Sequence, residues 1–334
     1  MRKTNIVIFL LLLIALFFFS IYFIFNHTLN KEIINPNKVI ISLPYGTSTD
    51  KIVKIFNENG YFEPDWLFKI ILKYEYKKRK RFIEAGTYEI PESISNKDLI
   101  EKLFSKELIT HNRLTIIEGS NIFQVAHQFH NQLNIDSLKV INLLQSPVFA
   151  KKLGLNVNTL EGYLMPETYF FLNNTPVEKI IELLVRKQLD ILKTIKENKN
   201  INLSDYNILK LASIIQAETS VVDEMPLISS VYHNRLQRGM LLQADPTILY
   251  FIYPRKTITK SDLNLNNPYN TYKNFGLPPT PINSPGRNAI YAAINPENTT
   301  FYYFVAKMDS TKTHFFASNY SEHLLNVKKY LKNK

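Results

Sequence analysis

The sequence Leu211-Ala-Ser-Ile-Ile-Gln-Ala-Glu-Thr219 predicts a helix with one apolar face and a single acidic side chain on that face. Ser204 is a typical N-cap for this helix. The apolar residues then recur at helical spacing, at Ile208, Leu211, Ile214 and Ile215. At about 100° per residue, Glu218 lies almost directly above Leu211, on the face that we expect to be buried.

The position of Glu218 allows two interpretations. A carboxyl group beside an apolar surface is poorly solvated, so its pKa rises toward the value that a general acid needs near neutral pH. Alternatively, Glu218 is a helix-end glutamate whose side chain tips into solvent. The pattern alone leaves both open.

The N-terminus predicts a membrane anchor. An apolar run from Ile6 to Phe25, interrupted only by Ser20 and Tyr22, has the length that spans a bilayer. It is too long for a signal-peptide core, and no small-residue cleavage site follows it, so we expect an uncleaved single-pass helix. Arg2 and Lys3 favour a cytoplasmic N-terminus. The rest of the chain is then expected on the extracytoplasmic, or periplasmic, side of the cytoplasmic (inner) membrane.

The amino-acid composition excludes several kinds of site and partner. The chain has no cysteine, which excludes disulfides and thiolate chemistry, and its 7 histidines are too scattered for a metal site, so no cofactor is expected. With 40 Lys+Arg against 29 Asp+Glu, the chain suits an anionic partner. The basic run Lys77–Arg81 lacks interleaved aromatic residues, so nucleic acid is not expected.

An internal repeat marks the first part of the chain. Two copies, Val39–Gly46 and Leu114–Gly119, each read as a strand and a turn, and a weaker copy begins at Gly86. Matched apolar positions follow the first two copies, at Ile52, Val53 and Phe56 and at Val125, Ala126 and Phe129. The repeat predicts a small βα module over residues 28–134, with a further helix at Pro64–Tyr76.

Residues 135–334 predict a mixed α+β domain. Helices are expected at Asp136–Gln145, Pro176–Glu197, Ser204–Thr219 and Met225–Arg238. A segment rich in turn residues, 266–286, is expected to form an exposed wall whose Tyr and Asn side chains suit a sugar. Phe301–Val305 and Thr313–Ala317 predict an antiparallel pair before a C-terminal helix.

Six motifs in one order carry a resemblance. They are Glu161-Gly-Tyr-Leu-Met-Pro-Glu-Thr-Tyr169, Ala212-Ser-Ile-Ile-Gln-Ala-Glu-Thr219, His233-Asn-Arg-Leu236, Gln243-Ala-Asp-Pro-Thr247, Tyr269-Asn-Thr-Tyr272 and Gly276-Leu-Pro-Pro279. This set resembles the YceG-like family of endolytic murein transglycosylases, over essentially the whole chain after the anchor. The apolar run places the anchor at 1–27, and the resemblance implies a LysM-like module at 28–134 and a catalytic domain at 135–334.

The resemblance also implies a reaction. In the family, the glutamate of the Glu-Thr pair is the catalytic acid/base, which corresponds to Glu218. A lytic transglycosylase uses the C6 hydroxyl of muramic acid as nucleophile, so a single carboxylate suffices and a 1,6-anhydro end results. The implied partners are the membrane, nascent peptidoglycan strands, cleaved at the MurNAc-GlcNAc bond to end their elongation, and, as candidates, peptidoglycan synthases.

Residues that orient the sugar are expected in the same motifs. The candidates for substrate binding are Glu161, Glu167, Gln243, Asp245, Tyr269, Asn270 and Tyr272. Asp245 could instead be a turn and cap residue, and Glu167 a first-turn helix acid. The family usually has an acidic residue where this chain has Gln216, and Ala244 and Thr280 also depart from its usual residues.

Two other classes of protein fit part of the pattern. A non-catalytic, membrane-anchored peptidoglycan-binding protein would need only the repeat module. A hydrolytic muramidase would need a second carboxylate near Glu218 and would leave a reducing end.

Overall fold

The computed structural model describes residues 2–35, 38–44, 46–172, 175–197, 203–255, 257–307 and 309–331. The chain forms two compact units. Unit 1 contains Met1–Asn112 and Phe170–Thr175, and unit 2 contains Arg113–Tyr169 and Pro176–Lys334. The fold is mixed α+β with an apolar N-terminal helix, as the sequence predicts.

Unit 1 begins with the apolar helix and continues with short strands and helices. Its elements are α1 (Arg2–Asn30), β1 (Glu32–Ile34), β2 (Val39–Leu43), α2 (Thr49–Glu58), α3 (Asp65–Arg79), β3 (Gly86–Ile90), β4 (Ser93–Ser95), α4 (Asn96–Ser105) and β5 (Ile109–Thr115). Among the described residues, one helix is long and apolar enough to cross a membrane, at Ile8–Asn30. Its apolar side chains from Ile8 to Phe25 are exposed, whereas Leu29 is partly buried against the core of unit 1.

The core of unit 1 lies between its strands and helices. β1 pairs antiparallel with β4, and β2 pairs antiparallel with β3. Ser48 and Ser95 cap α2 and α4 by accepting hydrogen bonds from backbone N–H groups in the first turn. The amphipathic helices then bury large side chains in one cluster that includes Phe56, Phe68 and Tyr88.

Unit 2 is mostly helical. Its elements are α5 (Ile122–Leu133), α6 (Ser137–Leu144), α7 (Pro147–Lys152), β6 (Thr168–Leu172), α8 (Val177–Lys196), α9 (Asp205–Glu218), α10 (Met225–Gln237), α11 (Asp245–Phe251), α12 (Arg287–Ile294), β7 (Tyr303–Ala306), β8 (His314–Ala317) and α13 (Tyr320–Leu331). β6 begins in unit 2, but its residues from Phe170 onward belong to unit 1, where the strand joins a four-stranded sheet in the order β2-β3-β5-β6. The predicted antiparallel pair is β7 with β8.

The repeat has the predicted order of elements. A strand precedes a helix in each copy: β2 precedes α2, β3 precedes α4, and β5 precedes α5. The LysM-like character of this module, and the domain boundaries at residues 27 and 134, stay predictions.

Helix α9 organises unit 2. It packs against α10, α11 and α12, and its residues from Ile208 to Ile215 are buried apart from the partly exposed Lys210. The helix is therefore enclosed on nearly every side, rather than along the single face that the apolar spacing predicts. Ser213 fits this interior because its hydroxyl donates to the Lys210 carbonyl at 2.7 Å.

The turn-rich segment differs from the predicted exposed wall, because Pro281–Gly286 is buried. Ile282 N–H donates to the Ser213 hydroxyl at 3.0 Å, and the Asn283 amide donates to the Ser213 carbonyl at 2.8 Å. Gly286 N–H donates to the Gln216 side chain at 2.9 Å. Polar side chains of α9 thus satisfy an irregular backbone that would otherwise stay at the surface. Gln216 needs no negative charge for this contact.

Candidate active site

Glu218 is the last residue of α9. The helix stops there because Thr219 adopts an extended backbone, with φ −146° and ψ 146°. The partly exposed Glu218 side chain lines a cavity of about 270 Å³. The other lining residues come from five regions of unit 2: Tyr232, Arg235, Leu242, Gln243, Asp245, Tyr272, Tyr303, Phe304, Tyr320 and His323.

Tyr232 holds one oxygen of the Glu218 carboxyl. Its hydroxyl donates to Glu218 Oε1 at 2.5 Å. The Tyr232 ring is buried and packs edge-on against Phe304, with ring centroids 5.9 Å apart. Burial raises the pKa of Tyr232 well above its ordinary value, so the hydroxyl keeps its proton and acts as a donor. This hydrogen bond engages Oε1 and leaves Oε2 for other contacts.

The pKa of Glu218 is raised to about 7, chiefly because the surrounding protein removes water from the carboxyl group. The Tyr232 hydrogen bond and the Arg235 charge lower the pKa, whereas the negative charge of Asp245 raises it. Near neutral pH the carboxyl is therefore present in both protonation states. A group of this kind can donate a proton and later accept one.

Arg235 fixes one wall of the cavity. The buried guanidinium donates from Nε to the Tyr302 carbonyl at 2.7 Å and from Nη1 to the Leu242 carbonyl at 2.6 Å. It also lies over the Tyr303 ring, 5.3 Å from the centroid. These bonds connect α10 to β7 and to the segment before α11.

Three predicted residues form another wall. Tyr272 donates its hydroxyl hydrogen to Asp245 Oδ1 at 2.6 Å, and Gln243 N–H donates to the Thr271 carbonyl at 3.1 Å. Asp245 lies in the first turn of α11, where a carboxylate is favoured, and it also lines the cavity. Asp245 is thus the first residue of α11 and not its cap, and its contact with a substrate stays a prediction. Gln243, Asp245, Tyr272 and Glu218 are the sequence-predicted residues that the structure brings together.

The remaining candidates lie outside this cavity. Glu161 is buried, accepts a hydrogen bond from Ile122 N–H at 3.1 Å, and has a pKa raised to about 8 by burial. The Asn270 amide is also buried and donates to the carbonyls of Leu263 and Leu265. Both side chains are buried away from the Glu218 cavity, and their contact with a substrate stays a prediction.

Tyr269 and Glu167 are also separate from the cavity. The Tyr269 hydroxyl shares a hydrogen bond with Thr280 Oγ1 at 2.9 Å, and the ring contacts Tyr250 at a centroid distance of 5.0 Å. Thr280 thus has a local partner in this chain. Glu167 is exposed just before β6, and its carbonyl accepts from Ile116 N–H, so it is not a first-turn helix acid.

Sequence reasoning missed most of the lining residues. Tyr232 and Arg235 lie three residues apart on α10, and Arg235 belongs to the motif His233-Asn-Arg-Leu236. This spacing indicates that both side chains lie on one face of the helix. The aromatic residues of β7 and α13 had no such signal, because tertiary packing alone brings them to Glu218. Among the described residues, no group of three His, Cys, Asp or Glu side chains could hold a metal ion.

Comparison with known proteins finds similarity over most of the chain. Residues 41–329 match the YceG-like family. A Bacillus subtilis (strain 168) protein named endolytic murein transglycosylase is 30% identical over 331 residues, covering 93% of this chain and 91% of its own length. A Streptococcus pneumoniae (serotype 2) protein of the same name is 29% identical, covering 98% of this chain and 64% of its own length.

A solved structure is also similar. The crystal structure of a YceG-like protein from Listeria monocytogenes has 30% sequence identity and a TM-score of 0.59, covering 86% of this chain and 99% of the Listeria chain. The chain belongs to the YceG-like family.

Proposed function

We propose that this protein is a membrane-anchored, endolytic lytic transglycosylase of peptidoglycan. It would cleave the MurNAc-GlcNAc bond of nascent strands, leave 1,6-anhydro-MurNAc ends and so terminate elongation. The observation that carries the proposal is the Glu218 carboxyl, which has a pKa raised to about 7 and one oxygen held by Tyr232, in a cavity open to solvent. The name shared by the Bacillus and Streptococcus relatives supports the substrate.

The chemistry follows from the two oxygens of Glu218. Protonated Oε2 donates its proton to the bridging oxygen, and the bond from that oxygen to C1 of the muramic acid breaks. The resulting carboxylate takes the proton of the C6 hydroxyl, and the C6 oxygen bonds to C1. No water is consumed, and Glu218 ends protonated. The nucleophile belongs to the substrate, so proximity replaces a second catalytic group.

Tyr232 and Arg235 are placed to stabilise the ionised form of Glu218 that occurs during this reaction. While Glu218 is ionised, the Tyr232 hydroxyl donates to Oε1, and the nearby Arg235 charge favours the carboxylate. Both groups are fixed by burial, so little reorganisation accompanies the proton transfer.

The walls of the cavity suit a glycan. Tyr303, Phe304 and Tyr320 offer apolar ring faces, while Gln243 and Asp245 offer hydrogen-bonding groups. Tyr272 orients the Asp245 carboxylate through its hydroxyl. We assign Gln243, Asp245 and Tyr272 to substrate binding.

The location is part of the same proposal. α1 would cross the cytoplasmic membrane once, with residues 28–134 as a LysM-like module and the catalytic domain on the extracytoplasmic side. Strand termination on that side would require the enzyme to work alongside peptidoglycan synthases.

A hydrolytic muramidase is a second candidate because Asp245 supplies another carboxylate in the cavity. In that mechanism Asp245 would act as nucleophile or base, and the product would carry a reducing end. A non-catalytic peptidoglycan-binding protein would have no need for the raised pKa of Glu218.

Mass spectrometry of the products distinguishes these functions. Purified full-length protein is incubated with isolated glycan strands, and the new ends are identified. Anhydro ends support the transglycosylase, reducing ends support the muramidase, and intact strands support the binding protein. Asp245→Asn adds a second criterion, since a muramidase that uses Asp245 would lose nearly all turnover, whereas a transglycosylase would keep making anhydro ends.

A further inference from the structure

Helix α3 has an exposed apolar face in addition to its buried one. Trp66, Ile70 and Tyr74 follow one another at intervals of four residues and are 51%, 54% and 62% exposed. The opposite face, which includes Phe68 and Leu72, is buried in unit 1. A continuous exposed apolar surface of this kind indicates contact with something outside the folded unit. We call Trp66, Ile70 and Tyr74 the exposed stripe.

The exposed stripe adjoins the end of the apolar helix. Ile70 and Tyr74 line a groove of about 700 Å³, together with Phe25 and Leu29 of α1 and Lys97 and Ile100 of α4. The Asn96 amide donates to the Thr28 carbonyl at 2.9 Å, and Asn96 N–H donates to the Lys31 carbonyl at 3.2 Å. The exit of α1 is thus fixed to the start of α4.

The groove lies at the depth where the span ends. A hydrocarbon core about 30 Å thick needs about 20 helical residues, which the run Ile6–Phe25 supplies. Asn26, His27 and Thr28 then bring the first polar side chains after the run. Phe25 and Leu29 accordingly fall near the boundary between hydrocarbon and headgroups, and the groove falls there with them.

The charges around the groove favour an anion. Lys78, Arg79 and Lys97 line it, against Glu75 and Glu101. Glu75 is already paired with Arg79 at 2.5 Å and with Lys78 at 4.0 Å. Lys77, Lys80 and Arg81 belong to the same basic run as Lys78 and Arg79 and are exposed. Aromatic residues beside lysines are typical of membrane interfaces.

We propose that α3 lies in the headgroup region of the bilayer that α1 spans, with the exposed stripe against acyl chains and an anionic phospholipid headgroup in the groove. The occupant is lipid because the groove continues directly from the span and combines apolar walls with cationic side chains. This proposal rests on the proposed membrane anchor. The contact between α3 and lipid holds unit 1 flat against the extracytoplasmic surface of the membrane, in addition to the tether that α1 provides.

Trp66 makes the test direct, because the chain contains 1 tryptophan. The full-length protein is placed in nanodiscs at one chain per disc, and its fluorescence is quenched with phospholipids brominated on the acyl chain. We expect strong quenching of Trp66, and stronger quenching by brominated phosphatidylglycerol than by brominated phosphatidylcholine at equal mole fraction. Lys97→Gln should lower that anionic preference about fivefold, since each basic side chain near the surface contributes about 1 kcal/mol. Lys51→Gln, an exposed lysine on α2 away from the groove, should leave it unchanged.

Each other outcome overturns the proposal in a recognisable way. Unquenched Trp66 in protein that stays in the disc would place the exposed stripe away from lipid while the anchor stands. Equal quenching by the two lipids would show that the groove has no preference for an anionic headgroup. Quenching that is lost as chains are added to a disc would show a second copy displacing the lipid. Release of the whole protein from the disc at alkaline pH would be a failure of the anchor itself.

Discussion

Glu218 is poised between two protonation states because opposing groups act on one carboxyl. Burial and the Asp245 charge raise its pKa, and the Tyr232 hydroxyl and Arg235 lower it, with the balance at about 7. In the structure the Glu218 side chain lines a cavity and is partly exposed, whereas the sequence leaves open whether it is buried against an apolar surface or tips into solvent. The sequence does not predict Tyr232 as the partner, because a hydrogen bond between α9 and α10 depends on how the two helices cross.

Glu218→Gln should lower turnover by about 10²- to 10⁴-fold, because the amide cannot exchange the proton that the reaction needs. Folding should be unchanged, since the amide oxygen can still accept from Tyr232. Glycan cleavage and thermal unfolding are measured together. Glu297→Gln, at an exposed glutamate outside the cavity, is the matched control. Near-normal turnover in a folded Glu218→Gln protein would remove Glu218 from the mechanism.

The pH profile should respond in opposite directions to two substitutions. kcat/KM should fall as pH rises through about 7, because the protonated form of Glu218 is lost. Tyr232→Phe removes a hydrogen bond to the carboxylate and should move this limb up by about one to two pH units, since such a bond is worth roughly 1.5–3 kcal/mol. Asp245→Asn removes a repelling charge and should move it down. Shifts of the same sign would contradict the assigned couplings.

Glu161 should make stability depend on pH. Its folded pKa of about 8 lies above the unfolded value, so the folded state binds more protons, and stability is lost as pH rises between the two values. We expect the melting temperature to fall from pH 5 to pH 9. Glu161→Gln should flatten most of this fall, including the part above pH 7, where Glu218→Gln should have little effect. An unchanged slope in Glu161→Gln would mean that this carboxyl is ionised in the folded protein.

At the scale of elements, periodic apolar spacing predicts the long helices well, whereas turn-forming residues predict poorly whether a segment is exposed. The predicted helix Pro176–Glu197 is α8, at Val177–Lys196, because its buried face repeats along five turns. Helices α7, α11 and α12 were missed because each is 6 to 8 residues long, too short for a clear period. Pro281–Gly286 looked like an exposed wall from composition alone. Its burial depends on bonds to Ser213 and Gln216, which are distant in sequence.

The contact between Gly162 and Pro281 should limit substitution at this turn. Gly162 has φ +82°, and a Cβ there would lie 2.5 Å from Pro281 Cβ. Gly154 has φ +83° with open space around it, so it is a matched control. Gly154→Ala should cost about 1–2 kcal/mol for the backbone alone, and Gly162→Ala about 1–3 kcal/mol more for the overlap. Denaturant unfolding of both variants measures the difference, and equal losses would show that the turn yields freely.

At the scale of the whole molecule, the sequence predicts a span but not how it is joined to the folded chain. Hydropathy alone would allow a flexible connection after Phe25. The structure instead continues α1 to Asn30 and bonds Thr28 and Lys31 to Asn96. Unit 1 therefore begins inside the helix that forms the span, and shortening this junction should disturb folding as well as anchoring.

The absence of cysteine allows the orientation of the chain to be mapped with single introduced thiols. Thr4→Cys lies on the side of Arg2 and Lys3, and Lys139→Cys is exposed on α6 beyond the span. If α1 is an uncleaved span with a cytoplasmic N-terminus, a membrane-impermeant maleimide should label Lys139→Cys in intact cells and Thr4→Cys only after lysis. The wild-type chain is the unlabelled control. Both proteins should stay in the membrane pellet at alkaline pH, because about 20 apolar residues are buried in lipid. Loss of the Thr4→Cys thiol from the mature protein would reveal cleavage, and labelling of Thr4→Cys in intact cells would reverse the orientation and put Glu218 where no glycan strand could reach it.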